Sequence, residues 1–418
     1  MTDVGWIDGV LSAARPQAMG ALLRQFRDLD RAEEAFQEAC LRALKHWPRN
    51  GPPRDPVAWL LFVGRNVGID LARRAARHTE LPEEEQLSDL EDAEAAMVER
   101  LDGEQVRDDV LRLLFICCHP DLPATQQVAL ALRIVCGLSV KQIARAFLVG
   151  EAAMEQRITR AKGRIAKGET QFGTPDAAER AERLGAVMAM AYLLFNEGYS
   201  ATGGTAPLRA PLAEEAIRLA RLLLRLFPAE PEVMGLLALM LLNHARSAAR
   251  LDSDGQIVLL DDQDRGLWDR KAIAEGLALV DKAVRHQRPG PYLVQAAIAA
   301  LHGRARTAAE TDWAQIDLLY GVLEHLQPSP VITLNRAVAV SKVRGPAAAL
   351  EMVEPLAPKL SGYFHFFGVR GALLLQLGRP AEAKQAFDQA IALANTAAEA
   401  AHIRSHLDRL MAEGAGNG

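Results

Sequence analysis

Cysteine and aromatic residues are scarce, and no long β-branched alternating run interrupts the 418 residues. Each absence excludes something. The four cysteines, Cys40, Cys117, Cys118 and Cys136, form no C-x-x-C pair, so they read as small buried hydrophobes in a reducing compartment. The run "ICCHPDL" has no second ligand pair, and adjacent helical residues point about 100° apart, which argues against metal there. No apolar run approaches the roughly 20 residues of a membrane span, and "MTDVGWIDGVLSAARP" lacks the basic-then-apolar order of a signal peptide. A cytoplasmic protein without membrane contact is expected. There is no glycine-rich phosphate loop and no nucleophile motif. The acids Asp252, Asp254, Asp261, Asp262 and Asp264, with Glu197, lack the third alternating ligand of a calcium loop and read as an interhelix polar network. No catalytic residue, metal ligand or cofactor is expected.

What is abundant is alanine and leucine, repeated at three- and four-residue intervals in a chain that is 50% hydrophobic. That pattern predicts an all-α protein of two or three domains. The net charge of −5 conceals a strong division. Residues 79–110 hold 13 acids and two arginines, a net of −11, whereas residues 1–78 sum to +3 and residues 111–168 to +6. A basic module, an acidic tether and a second basic module therefore precede a mildly acidic C-terminal half.

Residues 9–47 predict two helices with a break near "RDLD". The second places Ala32, Ala35, Phe36, Ala39, Cys40, Ala43 and Leu44 on one face and Glu33, Glu34, Gln37, Glu38 and Arg42 on the other. "PRNGPPRDP" is expected to be a loop, because its prolines lack backbone donors and disfavour helical geometry before them. A third helix follows from Val57 to about His78, and two more between Leu111 and Cys136, broken at "HPDLP". The acidic segment has the composition of a solvated linker.

Gly137 to Ile165, "GLSVKQIARAFLVGEAAMEQRITRAKGRI", predicts two helices around a tight turn. Ser139 with Gln142 forms a capping-box pattern at the first, and the second runs from Glu151 to about Lys167. This is a helix-turn-helix outline whose last helix carries Arg157, Arg160, Lys162, Arg164 and Lys167 for phosphates, with Glu151, Ala152, Ala153 and Gln156 toward base edges. Beyond Gly173 the sequence restarts helix at "TPDAAERAERLG", with Thr174 as cap, and continues as helix after helix. Turns fall at "TGGTAP", "FPAEPE", "HQRPGP", "QPSP", "VRGP" and "LGRP". Phe367, Gly371, Leu374, Ala383, Phe387 and Ala390 match tetratricopeptide (TPR) spacing, and a shift of 34 residues gives the weaker set Thr333, Ala337, Val340, Ala349, Val353 and Leu356.

"AEEAFQEACLRAL", "WLLFVGRNVGIDLARR" and the helix-turn-helix together resemble the sigma-70 family of bacterial transcription initiation factors, in its small extracytoplasmic-function branch. "FNEGY", "LLDDQDRGLWD", "GPYLVQAAIAALH", "TDWAQIDLLY" and "SPVITLNRAVAV" resemble the subgroup with a TPR-like extension. The resemblance implies a region 2 domain at 1–78, an acidic linker at 79–110, a region 4 domain at 111–170 and a TPR-like domain at 171–418, with core RNA polymerase and promoter DNA as partners. A protein or peptide partner is expected for the C-terminal solenoid.

By position in the family motifs, Glu34, Gln37, Glu38 and Arg42 would face the polymerase clamp. Arg49, Asn50 and Arg54 would hold a base flipped from the minus-ten element, while Arg65, Asn66, Arg73, Arg74 and Arg77 would track the opened strand. Trp59 reads as core rather than as a stacking platform, and Asp70 as an internal partner for an arginine. At the minus-thirty-five element, Gln156 suits adenine and Arg157 or Arg160 guanine or phosphate, with Ala153, Lys162 and Arg164 alongside. Glu151 suits the helix dipole but opposes phosphate, and Leu44 stands where the family often has tryptophan. The acidic linker mimics RNA charge in the polymerase's RNA path on one reading and is a soluble spacer on the other. The competing class is a helix-turn-helix regulator or TPR scaffold that acts without recruiting polymerase.

Overall fold

A computed structural model describes residues 5–76, 103–119, 121–147, 149–167, 177–200, 210–252, 257–394, 400, 403 and 404. Much of the acidic segment, 79–102, therefore lies outside the described residues, as do Thr174 and "TGGTAP". The fold is all-α. The chain divides into two compact units, Met1–Leu193 and Leu194–Gly418.

In the first unit, helices α1 (Gly5–Phe26), α2 (Leu29–Asn50) and α3 (Pro56–Ala76) pack pairwise on one another. Asp28 ends the turn between the first two by accepting from the backbone N–H groups of Asp30 at 2.9 Å and Arg31 at 3.0 Å. Asp55 caps α3 in the same way, accepting from Val57 and Ala58. Such caps satisfy donors that the first turn leaves orphaned. Trp59 is buried, edge-on to Trp47 at 5.3 Å, and Trp47 stacks on Trp6, so an indole cluster ties all three helices together.

Two expectations need correction. Helix α2 runs through Pro48 to Asn50, so Arg49 and Asn50 close the helix and the loop begins at Gly51. Pro48 forfeits only one backbone bond in the last turn, and the Gly51 N–H returns to the Trp47 carbonyl at 2.9 Å. Leu44 is also not core. It lies about 100° beyond Ala43 and is 49% exposed, while Trp47 completes the buried stripe of Ala32, Ala35, Phe36, Ala39 and Ala43.

Helix α4 spans Gly103–Cys117, so the last eight residues of the expected linker are helical and end inside the fold. Gly20 is the reason α4 can approach α1, since a Cβ there would sit 2.7 Å from the Asp109 carbonyl oxygen. Helices α5 (Ala124–Ile134), α6 (Val140–Ala146) and α7 (Glu151–Lys167) complete the second module, with α7 packed on both α5 and α6. The capping box forms: the Ser139 N–H donates to Gln142 Oε1 at 2.8 Å and the Gln142 N–H to Ser139 Oγ at 3.2 Å. Cys117, Cys118 and Cys136 are buried, while Cys40 is half-buried.

Helix α8 (Ala177–Ser200) leads into the second unit, which continues with α9 (Ala210–Leu226), α10 (Pro231–His244), α11 (Arg270–Val284), α12 (Pro291–Arg304) and α13 (Trp313–Leu326). Helix α10 is apolar nearly all round and packs against α9, α11 and α12, as a central helix must. The acids singled out from the sequence separate here. Asp261 pairs with Lys342 at 2.8 Å, Asp264 caps the Gly266 N–H, and Asp254 lies outside the described residues.

Helices α14 (Pro330–Arg344), α15 (Pro346–Val353), α16 (Phe364–Gln376) and α17 (Pro380–Leu393) form two hairpins that share one core. Its buried set includes Ala337, Val340, Ala349 and Val353 from one hairpin and Leu374, Ala383, Phe387 and Ala390 from the other, at the repeat positions. Gly371 lets α16 meet α17, because a Cβ there would lie 2.5 Å from the Phe387 ring. Gly371→Ala should destabilise this hairpin by about 1–3 kcal/mol despite its better helix propensity. Hydrogen exchange across 364–393 would show it as faster opening confined to those helices.

Candidate polymerase and nucleic-acid interfaces

Helix α7 is built so that one face is fixed and the other is free. Met154, Ile158, Ala161 and Ile165, at helical spacing, are buried in the module. Glu151, Ala152, Ala153, Glu155, Gln156, Thr159, Arg160 and Arg164 consequently stand exposed, with Arg157 half-buried beside them. The exposed N-terminal half thus offers a long amide, and the following turns offer guanidinium groups. That order fits base edges first and phosphates after.

Lys162 departs from the expected role. Its Nζ donates to Asp30 Oδ1 at 2.6 Å and Glu33 Oε2 at 2.7 Å, so it faces α2. Glu33 is only 4% exposed, and its other oxygen receives Arg133 Nη2 at 2.6 Å and Gln37 Nε2 at 3.0 Å. Arg15 completes the junction by donating to the carbonyls of Ile134 and Arg133 with its guanidinium over the Phe36 ring. The two basic modules are therefore clasped together inside the first unit.

On α2, Glu34 and Gln37 are exposed, while Glu38 and Arg42 are half-buried and form an i,i+4 pair at 3.3 Å. Sequence reasoning missed Leu41, which is 54% exposed on the same face, next to Leu44. The missed signal was a leucine falling opposite the alanine stripe. Arg49 and Arg54 are exposed at the two ends of the loop, and Arg65 and Asn66 are exposed midway along α3. The side chains of Asn50, Asp70, Arg73 and Arg74, and all of Arg77, lie outside the described residues.

Asp109, on α4, is 2% exposed and stands near Arg24 at 3.4 Å and Arg112 at 3.2 Å. Burial pushes its carboxyl up to about 6, against the opposing pull of the two arginines. A raised carboxyl binds its proton more tightly in the folded state, so its contribution is fully present below the unfolded value near 4 and is lost as pH rises through about 6. Thermal unfolding should accordingly show stability falling between pH 4 and 7 by on the order of 3 kcal/mol, a component that Asp109→Asn removes.

Two helical modules, one with an exposed acidic and apolar helix face and one with a helix-turn-helix, define a bipartite DNA-engaging protein. Residues 11–78 match Sigma-70 region 2, residues 112–165 match Sigma-70, region 4, and residues 183–284 match a family of unknown function (DUF6596). The chain is 68% identical over 413 residues to an uncharacterised protein of Rhizobium meliloti (strain 1021), covering 99% of this chain and 98% of that relative. The chain belongs to the sigma-70 family as an extracytoplasmic-function-like RNA polymerase sigma factor with a C-terminal extension.

Proposed function

We propose that this sigma factor binds core RNA polymerase through α2 and directs initiation at promoters read by the loop and α3 at the minus-ten element and by α7 at the minus-thirty-five element. The observation that carries the reading is one chain presenting both an exposed Glu34, Gln37, Leu41 and Leu44 face and an exposed Gln156 and Arg160 face. Apart from the Gln37 hydrogen bond to Glu33, these side chains stand away from the faces their helices bury. The protein acts in the cytoplasm, without a catalytic centre of its own. Arg49 and Arg54 hold the base flipped from the minus-ten element, while Arg65 and Asn66 track the opened strand.

The TPR-like hairpins modulate this activity by taking a protein or peptide partner, as stacked helical hairpins do. Run-off transcription with core polymerase tests the central claim. Promoter-dependent transcripts are expected only when the protein is added, and their absence at every template would sink it. A chain ending after residue 170 is expected to initiate with altered regulation, and indistinguishable behaviour under all stimuli would remove the modulatory role.

A further inference from the structure

We infer that the Asp30 and Glu33 carboxylates form a latch that holds the minus-thirty-five helix closed on region 2, and that Lys162 exchanges these carboxylates for DNA phosphate when the latch opens. The inference rests on the proposed promoter contacts. Lys162 has 17% of its side chain exposed and two carboxylate oxygens within 2.7 Å, so in this state it has no free approach to a phosphate. Glu33 is shared between Lys162 and Arg133, and so joins α2 to both α5 and α7.

Geometry makes the closed state incompatible with the open complex. The two promoter elements are named for positions about 25 base pairs apart, on the order of 85 Å of duplex. Helices α2 and α7, which would serve one module each, are joined here by ion pairs. Covalent connection does not force this. Residues 77–102, 26 in number between α3 and α4, reach at most about 90 Å when extended, enough to span the two sites. Separation is therefore opposed by the latch, by the Arg15 bonds from α1 to the carbonyls of Arg133 and Ile134, and by the α1 to α4 contact at Gly20, not by the tether.

The latch also lies against the polymerase face. Gln37, expected at the clamp, donates to Glu33 at 3.0 Å, one turn away on α2. A partner seated on the exposed α2 face therefore meets a residue bonded directly to the latch carboxylate.

Zero-length carbodiimide joins amines to carboxylates already in contact, so it reads the latch in the full-length chain. Peptide mass spectrometry should find Lys162 linked to Asp30 or Glu33 in the free protein, with the yield falling at least fivefold in the holoenzyme. The Asp30→Asn, Glu33→Gln double variant should bind a minus-thirty-five duplex at least tenfold more tightly than the unaltered free chain, measured by fluorescence anisotropy. Asp30→Asn alone, at a side chain that is 73% exposed, removes one of the two latch contacts without disturbing the core and should shift the affinity the same way by a smaller factor if the double variant fails to fold. No cross-link in the free chain, undiminished cross-linking in an initiating holoenzyme, or unchanged duplex affinity in the folded variants would overturn the latch. Loss of promoter-dependent initiation by the unaltered protein would instead overturn the proposed function, because the cross-link in the free chain needs neither polymerase nor DNA.

Discussion

Replacing Leu41 and Leu44 together by glutamate is expected to weaken binding to core polymerase at least ~100-fold, with the melting temperature of the free chain nearly unchanged. Both leucines are already in water, at 54% and 49% exposure, so the fold loses little apolar burial when they go. Glutamate and leucine have similar helix propensities, and exposed substitutions usually change stability by no more than about 0.5 kcal/mol. At an interface the balance reverses. Fully burying a leucine contributes about 1.5–3 kcal/mol, and two such anchors amount to roughly 3–6 kcal/mol, or two to four powers of ten in affinity. Arg42→Ala should do far less, because Arg42 is held by Glu38 on the same helix and its half-exposed pair is worth little. Titrating labelled protein with core polymerase separates the cases, and an unchanged Kd for the double variant would remove α2 from the interface.

How much of this was legible before the structure depends on the range of each interaction. The Ser139 and Gln142 box and the repeat positions around Gly371 and Phe387 are local patterns, fixed by three- and four-residue spacing, and formed as read. The exceptions have tertiary causes. Pro48 was read as a breaker, yet α2 closes over it because the last turn needs few backbone donors. Residues 103–110 read as linker from their acids, but Val110 and Asp109 are buried where α4 meets α1 at Gly20. Glu33 looked like one more solvated acid on a polar face. Its burial follows from Arg133 and Lys162, 100 and 129 residues away, and no local spacing encodes a pair at that separation.

Gln156→Ala and Arg160→Ala should both weaken minus-thirty-five recognition, but in different currencies. Gln156 is exposed in the second turn of α7, where a side-chain amide can make a paired contact to one adenine. Losing that contact should cost about 1–3 kcal/mol against the preferred sequence, roughly 5- to 150-fold, and little against duplexes altered at that base pair. Arg160, four residues on and also exposed, is the phosphate contact in the proposed complex. Its removal should weaken all duplexes alike and lower the slope of log affinity against log salt by about one. Lys162→Ala removes the cation held by Asp30 and Glu33 and so opens the closed chain as well. Its comparison with Arg160→Ala is therefore made in the holoenzyme, where losing the Lys162 phosphate contact should lower the salt slope by about one. Measured across a set of single-base duplexes at several salt concentrations, a uniform loss for Gln156→Ala would move that residue from base reading to backbone contact, and a base-selective loss for Arg160→Ala would move that one the other way.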